Sequence, residues 1–285
     1  MTAFQYIWDK WRGAQALEAV DLVAPGGNCS PMSITIADIY RYPVKGLTPE
    51  ALEGVALSDG QALPGDRHYA MTLGTTQTDG RIIAWMEKTH FLSLLGHEKL
   101  AKLKTTFDPE AGILTIKRKG RPVAKGNITT PVGRAMIEEF FAAYMGDEAK
   151  GRPKLVEAEA EGTLSDHRNA VVSIINLASV KDLQRVTGSD IDPLRFRGNF
   201  YLDGLEPWEE FQWVDKEITL GGACLSITKR IERCGATNVD PGTGERDLNL
   251  VKDLQRGFGH IDMGVYGRVI QPGQVNAGDE LTPPT

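Results

Sequence analysis

From Ile34 onward, short apolar segments of strand length alternate with turns that are marked by glycine and proline. The chain of 285 residues contains 31 Gly and 15 Pro but no Gly-X-Y repeat, so these residues indicate tight turns and exclude a collagen-like fibre. Roughly a dozen short strands, against roughly three or four helices, predict a mainly β (α+β) fold that is barrel-like and carries its helices at the periphery.

Apolar runs between turn residues are typical of strands, and capping residues mark where helices begin and end. The predicted strands are 34–42, 54–57, 68–73, 91–95, 101–107, 113–117, 154–158, 170–175, 196–202, 216–220, 223–229, 265–270 and 279–281. Three helices are predicted from their caps: one from Thr130 to Gly146, one from Asn176 to Gly188, and one from Asp247 to Gly257.

The overall composition is that of an ordinary globular protein with a mildly acidic surface. Hydrophobic residues make up 41% and charged residues 25%, and 38 acidic against 32 basic side chains give a net charge of −6. Because phosphate backbones bind to basic surfaces, we expect no nucleic-acid partner. No apolar stretch is long enough for a transmembrane segment. The three cysteines, Cys29, Cys224 and Cys234, show no CxxC or Cys/His zinc spacing, which favours free thiols and a cytoplasmic location.

Residues 1–33 are treated separately, because targeting segments occur at this end of a chain. Phe4, Ile7, Trp8 and Trp11 recur at helical spacing with charged residues between them, and no secretory pattern is visible. The spacing predicts an amphipathic helix packed on the surface of the protein, followed by a linker. An interfacial membrane anchor is the alternative, although the acidic residues disfavour it.

Several well-known catalytic motifs are missing from the sequence. It has no GxSxG nucleophile elbow and no GxxxxGK[ST] phosphate-binding loop. The five histidines are scattered, and none lies four residues from another, so a helical zinc pair is unsupported. The chemistry must therefore come from another group.

Cys234 is the strongest candidate for that group. It follows a predicted strand in which the apolar residues 223, 225 and 227 alternate with more polar ones, and it lies between Arg233 and Gly235. A neighbouring guanidinium and backbone N–H groups lower the pKa of a thiol, and a thiolate is a nucleophile, a sulfur carrier or a ligand for a soft metal. A buried structural cysteine is the alternative, and it is our interpretation of Cys224.

Five stretches of the sequence together resemble one family. The stretch 233–244, which begins Arg-Cys and continues Thr-Asn-Val-Asp-Pro-Gly-Thr-Gly, resembles the central motif of the MOSC family, the molybdenum cofactor sulfurase C-terminal domains. Tyr-Pro-Val-Lys-Gly at 42–46 and Gly-Asp-Arg-His-Tyr at 65–69 resemble its N-terminal β-barrel domain, while 195–199 and 272–279 also fit. The resemblance covers about 34–281 and is greatest to the mitochondrial amidoxime-reducing component and its bacterial relatives.

The resemblance implies a domain organisation and a cofactor site. It implies a helix and linker at 1–33, a small N-terminal β-domain at 34–129, and a MOSC β-barrel domain at 130–285, with the cofactor in the cleft between the two domains. The cofactor would be a molybdenum–pyranopterin (molybdopterin), with Cys234 as both metal ligand and catalytic residue. The residues implied to bind the rest of this cofactor are Lys45, Arg67, Arg197, Asn199, Arg233, Thr237 and, on the substrate side, Tyr266.

The resemblance also implies an activity. The family's members closest in layout suggest a molybdenum-dependent oxidoreductase that reduces small N-hydroxylated substrates, such as hydroxylamines and amidoximes, by oxygen-atom transfer. Electrons would come from a separate donor protein of the ferredoxin, cytochrome b5 or flavin reductase type. The alternatives are a sulfur carrier that holds a persulfide on Cys234 and a non-catalytic cofactor-binding protein. Two positions depart from near relatives: Gly46 replaces a serine, and Glu232 replaces a small polar residue.

Overall fold

The computed structural model describes residues 33–160 and 162–284. The predicted N-terminal helix and Cys29 lie outside these residues. Sixteen strands and three α-helices are present in the described part, which confirms the mainly β fold. The strands are β1 Thr35–Arg41, β2 Glu50–Leu52, β3 Gly54–Leu57, β4 Tyr69–Met71, β5 Ile82–Ile83, β6 Leu103–Asp108, β7 Ile113–Arg118, β8 Arg121–Asn127, β9 Leu155–Ala158, β10 Val172–Asn176, β11 Phe200–Asp203, β12 Glu217–Leu220, β13 Ala223–Glu232, β14 Asp262–Gln271, β15 Gly273–Asn276 and β16 Leu281–Thr282. The helices are α1 Pro131–Met145, α2 Leu177–Thr187 and α3 Leu250–Phe258.

The largest sheet has eight strands in the order β16-β12-β13-β14-β10-β11-β1-β2. All neighbours are antiparallel except β10 and β11, which are parallel and joined through α2. The sheet curls until the β16 end reaches β1: Leu281 donates to the Ile34 carbonyl (2.9 Å), and Gly278 donates to the Ile36 carbonyl (2.7 Å). Seven strands therefore form a closed ring of backbone hydrogen bonds, which removes the exposed edges of an open sheet.

The interior of this ring is filled by alternate side chains. On β13, Ala223, Leu225 and Ile227 are fully buried, whereas Cys224 and Ser226 between them are partly exposed. This alternation is what a strand with one face toward a core requires. Cys224 therefore lies on the outer face of β13, and its interpretation as a buried cysteine is wrong. Further side chains of the same core come from every strand of the ring and include Ile36, Val172, Phe200, Ile218, Val265 and Leu281.

Smaller sheets flank the ring. Strands β6, β7 and β8 form a meander covered by α1, with Leu114, Ile116, Ile137 and Phe141 buried in a second apolar core. Strands β4, β9 and β5 form another sheet, and β3 pairs with β15. The predicted domain boundary at 129/130 remains a prediction. Strands from both sides of it share the eight-stranded sheet, and β4 pairs with β9 across it.

Two of the three helix caps are as predicted. The Thr130 side chain accepts from Gly133 N at the start of α1, and the Asn176 side chain accepts from Ala178 N at the start of α2. The third helix begins later, because the cap is Asn249 rather than Asp247. The Asp247 carboxylate is bound instead by Arg195.

The predicted strand 91–95 is wrong. Only Phe91 forms an isolated bridge, to Thr72, and the chain then turns. Phe91, Leu92 and Leu94 are apolar because they fill buried cores, which periodicity cannot distinguish from a strand in so short a run. Strand β8 was not predicted, since its charged and glycine residues hide the pattern. Within the described residues, no helix combines the length and apolar character needed to cross a bilayer.

A buried carboxylate lies at the N-terminus of α2. Glu210 is fully buried and accepts hydrogen bonds from Asn176 Nδ2 (2.8 Å) and Ser179 Oγ (2.9 Å). It makes no ion pair with any described residue. Burial raises the pKa of Glu210 from its ordinary value of 4.5 to about 7, although these hydrogen bonds oppose the shift. The folded protein therefore holds this proton more tightly than the unfolded chain does.

We expect Glu210 to lower the stability of the fold as pH rises from about 4.5 to about 7, because in that range only the unfolded chain releases the proton. The Glu210→Gln variant should lose this pH dependence. The difference in free energy of unfolding between the variant and wild type should change by at most roughly 3 kcal/mol between pH about 4.5 and pH about 7. Urea unfolding at pH 5 and pH 8 measures it. The exposed Glu206→Gln is the control, and equal pH dependence in wild type and Glu210→Gln contradicts the assignment.

Candidate functional site

All eight residues predicted for the site line one pocket of about 490 Å³. They come from segments far apart in sequence: the turn after β1, the turn before β4, the loop before β11, the end of β13 and the middle of β14. The pocket thus lies where the ring of strands meets the smaller sheets. The predicted residues in its wall are Lys45, Arg67, Arg197, Asn199, Arg233, Cys234, Thr237 and Tyr266.

The backbone directs Arg67 and Arg197 into the pocket. A tight turn precedes Arg67, in which Gly65 has φ +73° and the Asp66 N–H donates to the Leu63 carbonyl (3.0 Å), as a type II turn requires. Arg67 and Arg197 themselves have φ of 49° and 51°. Left-handed backbone is uncommon for residues other than glycine and tends to occur at functional sites.

The two guanidinium groups lie together on one aromatic ring. Their central carbons are 4.4 Å (Arg67) and 4.1 Å (Arg197) from the centre of the Tyr42 ring. Arg67 also donates to a carboxylate oxygen of Asp66 and to the Arg197 carbonyl (2.7 Å). Burial alone would lower the pKa of Arg67, but Asp66 and Tyr42 hold it above its ordinary value. Arg67 is therefore a charge balanced within the protein.

Arg197 is balanced less completely. Its Nη1 donates to the Leu47 carbonyl (2.9 Å), but its Nη2 is buried and has no hydrogen-bond partner among the described residues. Burial lowers the pKa of Arg197 to about 10, with Arg67 adding to this effect and Tyr42 opposing it. A buried donor without a partner costs free energy, so an unpaired N–H of this kind is suited to an acceptor on a ligand.

Lys45 and Lys88 are bridged by a carboxylate. Lys45 is only 6% exposed, and its Nζ donates to the Leu164 carbonyl (2.8 Å) and to Asp166 Oδ1 (2.5 Å). The other oxygen of Asp166 lies 3.5 Å from Lys88 Nζ. Burial alone would raise the pKa of Asp166, but Lys45, Lys88 and Arg67 lower it to about 2. Asp166 is thus an anion held among cations at the pocket wall.

Cys234 lies where β13 ends and a short 3-10 segment, Gly235–Asn238, begins. Its backbone is extended, and its carbonyl accepts from the Thr237 N–H (3.1 Å) and hydroxyl (3.0 Å). Thr237 therefore fixes the turn that presents the cysteine. The side chain of Cys234 is partly exposed to the pocket. Burial alone would lower the pKa of Lys88, but Asp166 and the nearby Cys234 sulfur hold it above its ordinary value.

The guanidinium of Arg233 also lies at the pocket, but it donates its hydrogen bonds to backbone carbonyls. Its Nε donates to the Met263 carbonyl (2.9 Å) and its Nη1 to the Phe196 carbonyl (2.8 Å). Burial lowers the pKa of Arg233. It therefore ties the end of β13 to two neighbouring segments and adds a positive potential beside Cys234. Tyr266 also lines the pocket, with its ring 4.9 Å from that of His167.

Asn199 lies at the pocket, but its amide mainly joins strands. Its Oδ1 accepts from the Ser173 N–H (3.0 Å) and hydroxyl (2.8 Å), and its Nδ2 donates to the Tyr40 carbonyl (3.1 Å). This side chain connects β1, β10 and the residue before β11 across the bottom of the site. One N–H of the amide remains for a ligand.

Sequence reasoning missed three residues of this site: Lys88, Asp166 and Arg195. Arg195 is 2% exposed and binds Asp247 through both nitrogens (2.8 and 2.7 Å) and Asp240 (3.1 Å), so it fixes the loop after Cys234. Arg195 is the first residue of the 195–199 motif, so the sequence did contain a signal that it belongs to the site. Lys88 and Asp166 had no such signal, because Lys88 begins a 3-10 helix of only three residues and Asp166 lies in an irregular segment.

The two departures from near relatives have structural consequences. Gly46 has φ +80°, and a Cβ built there would lie 3.2 Å from the Leu92 carbonyl oxygen, so this backbone favours glycine. Glu232 pairs with Asp262 across β13 and β14, and both carboxylates line the pocket. The wall therefore contains carboxylates as well as cations at the end of β13.

Comparison with known proteins identifies the part of the chain that carries the cysteine. Residues 161–282 match the model of the MOSC domain. This segment is a MOSC domain. It contains six of the eight predicted site residues, including Cys234, whereas Lys45 and Arg67 lie before it. A molybdenum cofactor sulfurase of Anopheles gambiae is 28% identical over 122 residues, or 39% of this chain and 16% of that protein.

A second curated relative matches more of the chain. A molybdenum cofactor sulfurase of Caenorhabditis briggsae is 23% identical over 268 residues, which is 87% of this chain but 36% of the relative. The chain therefore spans about a third of that protein's length. Among solved structures, YuaD of Bacillus subtilis aligns with 88% of this chain and 94% of its own (TM-score 0.41, 12% identity). YiiM of Geobacillus stearothermophilus aligns with 39% of this chain and 53% of its own (TM-score 0.32, 19% identity).

We expect Asn199→Ala to lower the free energy of unfolding by about 2 to 3 kcal/mol, because it leaves the Ser173 N–H and the Tyr40 carbonyl buried without this partner. Urea unfolding at neutral pH measures the change. The exposed Asn276→Ala is the matched control and should stay within about 0.5 kcal/mol of wild type. Equal stability of the two variants would show that the Asn199 amide is not needed for the fold.

Proposed function

We propose that this protein is a molybdenum cofactor-dependent oxidoreductase that reduces N-hydroxylated compounds. The observation that carries the proposal is that Cys234 and the cations Lys45, Arg67 and Arg197, from distant segments, line one pocket. In a chain of net charge −6, these cations create a local positive field that an anionic ligand would neutralise.

The pocket residues fit a phosphate-bearing pterin. Guanidinium groups bind phosphate through paired, geometrically fixed donors, and polar ring systems are oriented by the same kind of contact. The buried Nη2 of Arg197 lacks a partner among the described residues, which is the arrangement expected of a donor that a ligand satisfies. A volume of about 490 Å³ lies within the range of cofactor-sized sites. Lys45, Arg67 and Arg197 would hold the phosphate and the pterin.

The donor set also fits a metal that arrives with its own ligands. Among the described residues, no group of three or more His, Cys, Asp or Glu side chains is placed to hold a metal ion. A metal ion bound by protein side chains alone would need such a group of ligands. A metal that is already bound by an organic cofactor needs only one thiolate from the protein to complete its ligands. Cys234 is the thiol in the pocket that would take this place.

The residues of this chain have separate roles in the proposed reaction. When bound, the molybdenum cofactor supplies two-electron oxygen-atom transfer, and the overall conversion of an N–OH compound to its amine consumes two electrons and two protons and releases water. Cys234 fixes the metal, and Arg233 and Thr237 hold the turn that presents it. Tyr266 and His167 would border the substrate. Electrons would come from a separate donor protein of the ferredoxin, cytochrome b5 or flavin reductase type.

We expect protein made in a host that synthesises the cofactor to contain about one molybdenum per chain. Cys234→Ala should lose most of the metal and all reduction of a hydroxylamine or amidoxime with an artificial electron donor, because the thiolate ligand is gone. Metal analysis by mass spectrometry and amine formation measure the two effects. Cys224→Ala, at a partly exposed thiol outside the pocket, is the matched control and should keep both. Full metal content in Cys234→Ala would overturn the ligand role.

A sulfur carrier is the second candidate, in which Cys234 would hold a persulfide. The contact between Lys88 and Cys234 favours it, because an ammonium stabilises an anionic sulfur with or without a metal. The curated relatives are also named molybdenum cofactor sulfurase. This function requires the thiol but not the unpartnered guanidinium N–H of Arg197.

Cyanide distinguishes the two functions, because it removes the outer sulfur of a persulfide as thiocyanate and leaves the thiolate. For an oxidoreductase, we expect no thiocyanate from metal-free wild-type protein treated with cyanide. Thiocyanate released from wild type and Cys224→Ala, but not from Cys234→Ala, would favour the sulfur carrier. The measurement is a colorimetric thiocyanate assay on protein purified without reductant.

A further inference from the structure

A strongly basic hairpin stands out in this acidic molecule. Strands β7 and β8, residues 113–127, contain five cations and no acidic residue, while the whole chain has a net charge of −6. The hairpin lies away from the pocket, since none of its residues lines it. The cations are Lys117, Arg118, Lys119, Arg121 and Lys125, and all of them are exposed.

The hairpin places like charges where they destabilise the sheet. Arg118 and Arg121 are directly opposite in the register of β7 and β8, and like charges at such positions repel. Lys119 lies in the turn with φ 50°, a conformation that asparagine or glycine adopts more readily. Within the described residues, neither arginine nor Lys119 has a carboxylate within ion-pair distance. The stability of the fold therefore does not explain why positively charged residues occupy these three positions.

A groove lies beside these cations. It has a volume of about 540 Å³ and is formed by the outer face of α1, the end of β7 and the segment before β6. The rings of Phe140 and Tyr144 stack at 5.6 Å with an interplanar angle of 8°, and the Arg118 guanidinium lies 5.3 Å from the centre of the Tyr144 ring. The groove is lined by Lys99, Lys102, Arg118, Phe140, Ala143 and Tyr144.

An apolar stripe on α1 continues from the groove. Val132 and Met136 precede Phe140 by two turns and one turn of the helix, on the same face. They are 73% and 54% exposed, which is unusual for side chains of this size in a helix that otherwise buries its apolar face. The surface thus combines apolar and aromatic side chains with exposed cations, of which Lys99 is ion-paired with Glu148 (2.8 Å).

We propose that this groove binds an acidic segment of a partner protein, with the carboxylates of the segment on Arg118, Arg121 and Lys102 and an apolar side chain on Phe140 and Tyr144. The proposal does not depend on the activity of the Cys234 pocket. Apolar side chains on the partner match the stacked rings and the stripe on α1. A nucleic acid or an anionic membrane fits less well, because both extend past the patch and meet the acidic remainder of the molecule.

The probe for this proposal is a synthetic amphipathic helical peptide that carries glutamates on one face and leucine and phenylalanine on the other. Fluorescence anisotropy of the labelled peptide should show saturable binding to the full chain that weakens as salt is raised. The Arg118→Glu, Arg121→Glu double variant should lose at least about tenfold in affinity. Lys252→Glu, Arg256→Glu reverses two exposed cations on α3 and is the matched control, which should bind within about twofold of wild type.

Several outcomes would overturn the proposal. They are the absence of peptide binding, equal binding by both double variants, and tighter binding of a single-stranded oligonucleotide or of phosphatidylserine vesicles than of the peptide. A peptide in which glutamine replaces glutamate should bind more weakly than the original peptide, and equal affinity would contradict the charge requirement. A peptide in which serine replaces leucine and phenylalanine should also bind more weakly, and equal affinity would contradict the apolar requirement. Circular dichroism checks that each variant is folded. If the double reversal is not, Lys102→Glu in the same groove replaces it and should weaken binding likewise.

Discussion

The architecture of this protein depends on holding several cations close together in a partly desolvated pocket. Two like charges that share a low-dielectric site repel strongly, and each also loses its hydration. Here the repulsion is offset by backbone carbonyls, by the Tyr42 ring, and by the carboxylates of Asp66 and Asp166. At Arg197 this compensation is incomplete, because its Nη2 has no hydrogen-bond partner among the described residues. This free donor suits the site to an anionic ligand.

This constraint explains why the fold joins such distant parts of the chain. The ring of strands places the end of β13 and the loop before β11 next to each other, while the turns after β1 and before β4 approach from the smaller sheets. Buried polar side chains such as Asn199 and Arg195 then fix these segments in register. The thiol of Cys234 is therefore presented by a rigid turn, as a metal ligand or a sulfur carrier requires.

Different elements could be predicted from the sequence to different degrees. Helices α1 and α2 were predicted closely, because their caps are local signals that the tertiary structure did not change. The predicted strand at 91–95 was wrong, because a short buried apolar run resembles a strand. The start of α3 was predicted two residues too early, because Asp247 binds Arg195 instead of capping the helix. In both cases a distant contact decided the outcome.

The sequence by itself determined the alternation of β13, the caps of two helices and the motifs that contain seven of the eight site residues, since each depends on neighbours within a few positions. Only the tertiary structure decided that these residues share one pocket, that Asp166 and Lys88 join them, and that Asn199 and Arg233 donate to backbone carbonyls. Such contacts join residues more than twenty positions apart, and side-chain partners at that separation are fixed by packing, which no local pattern encodes.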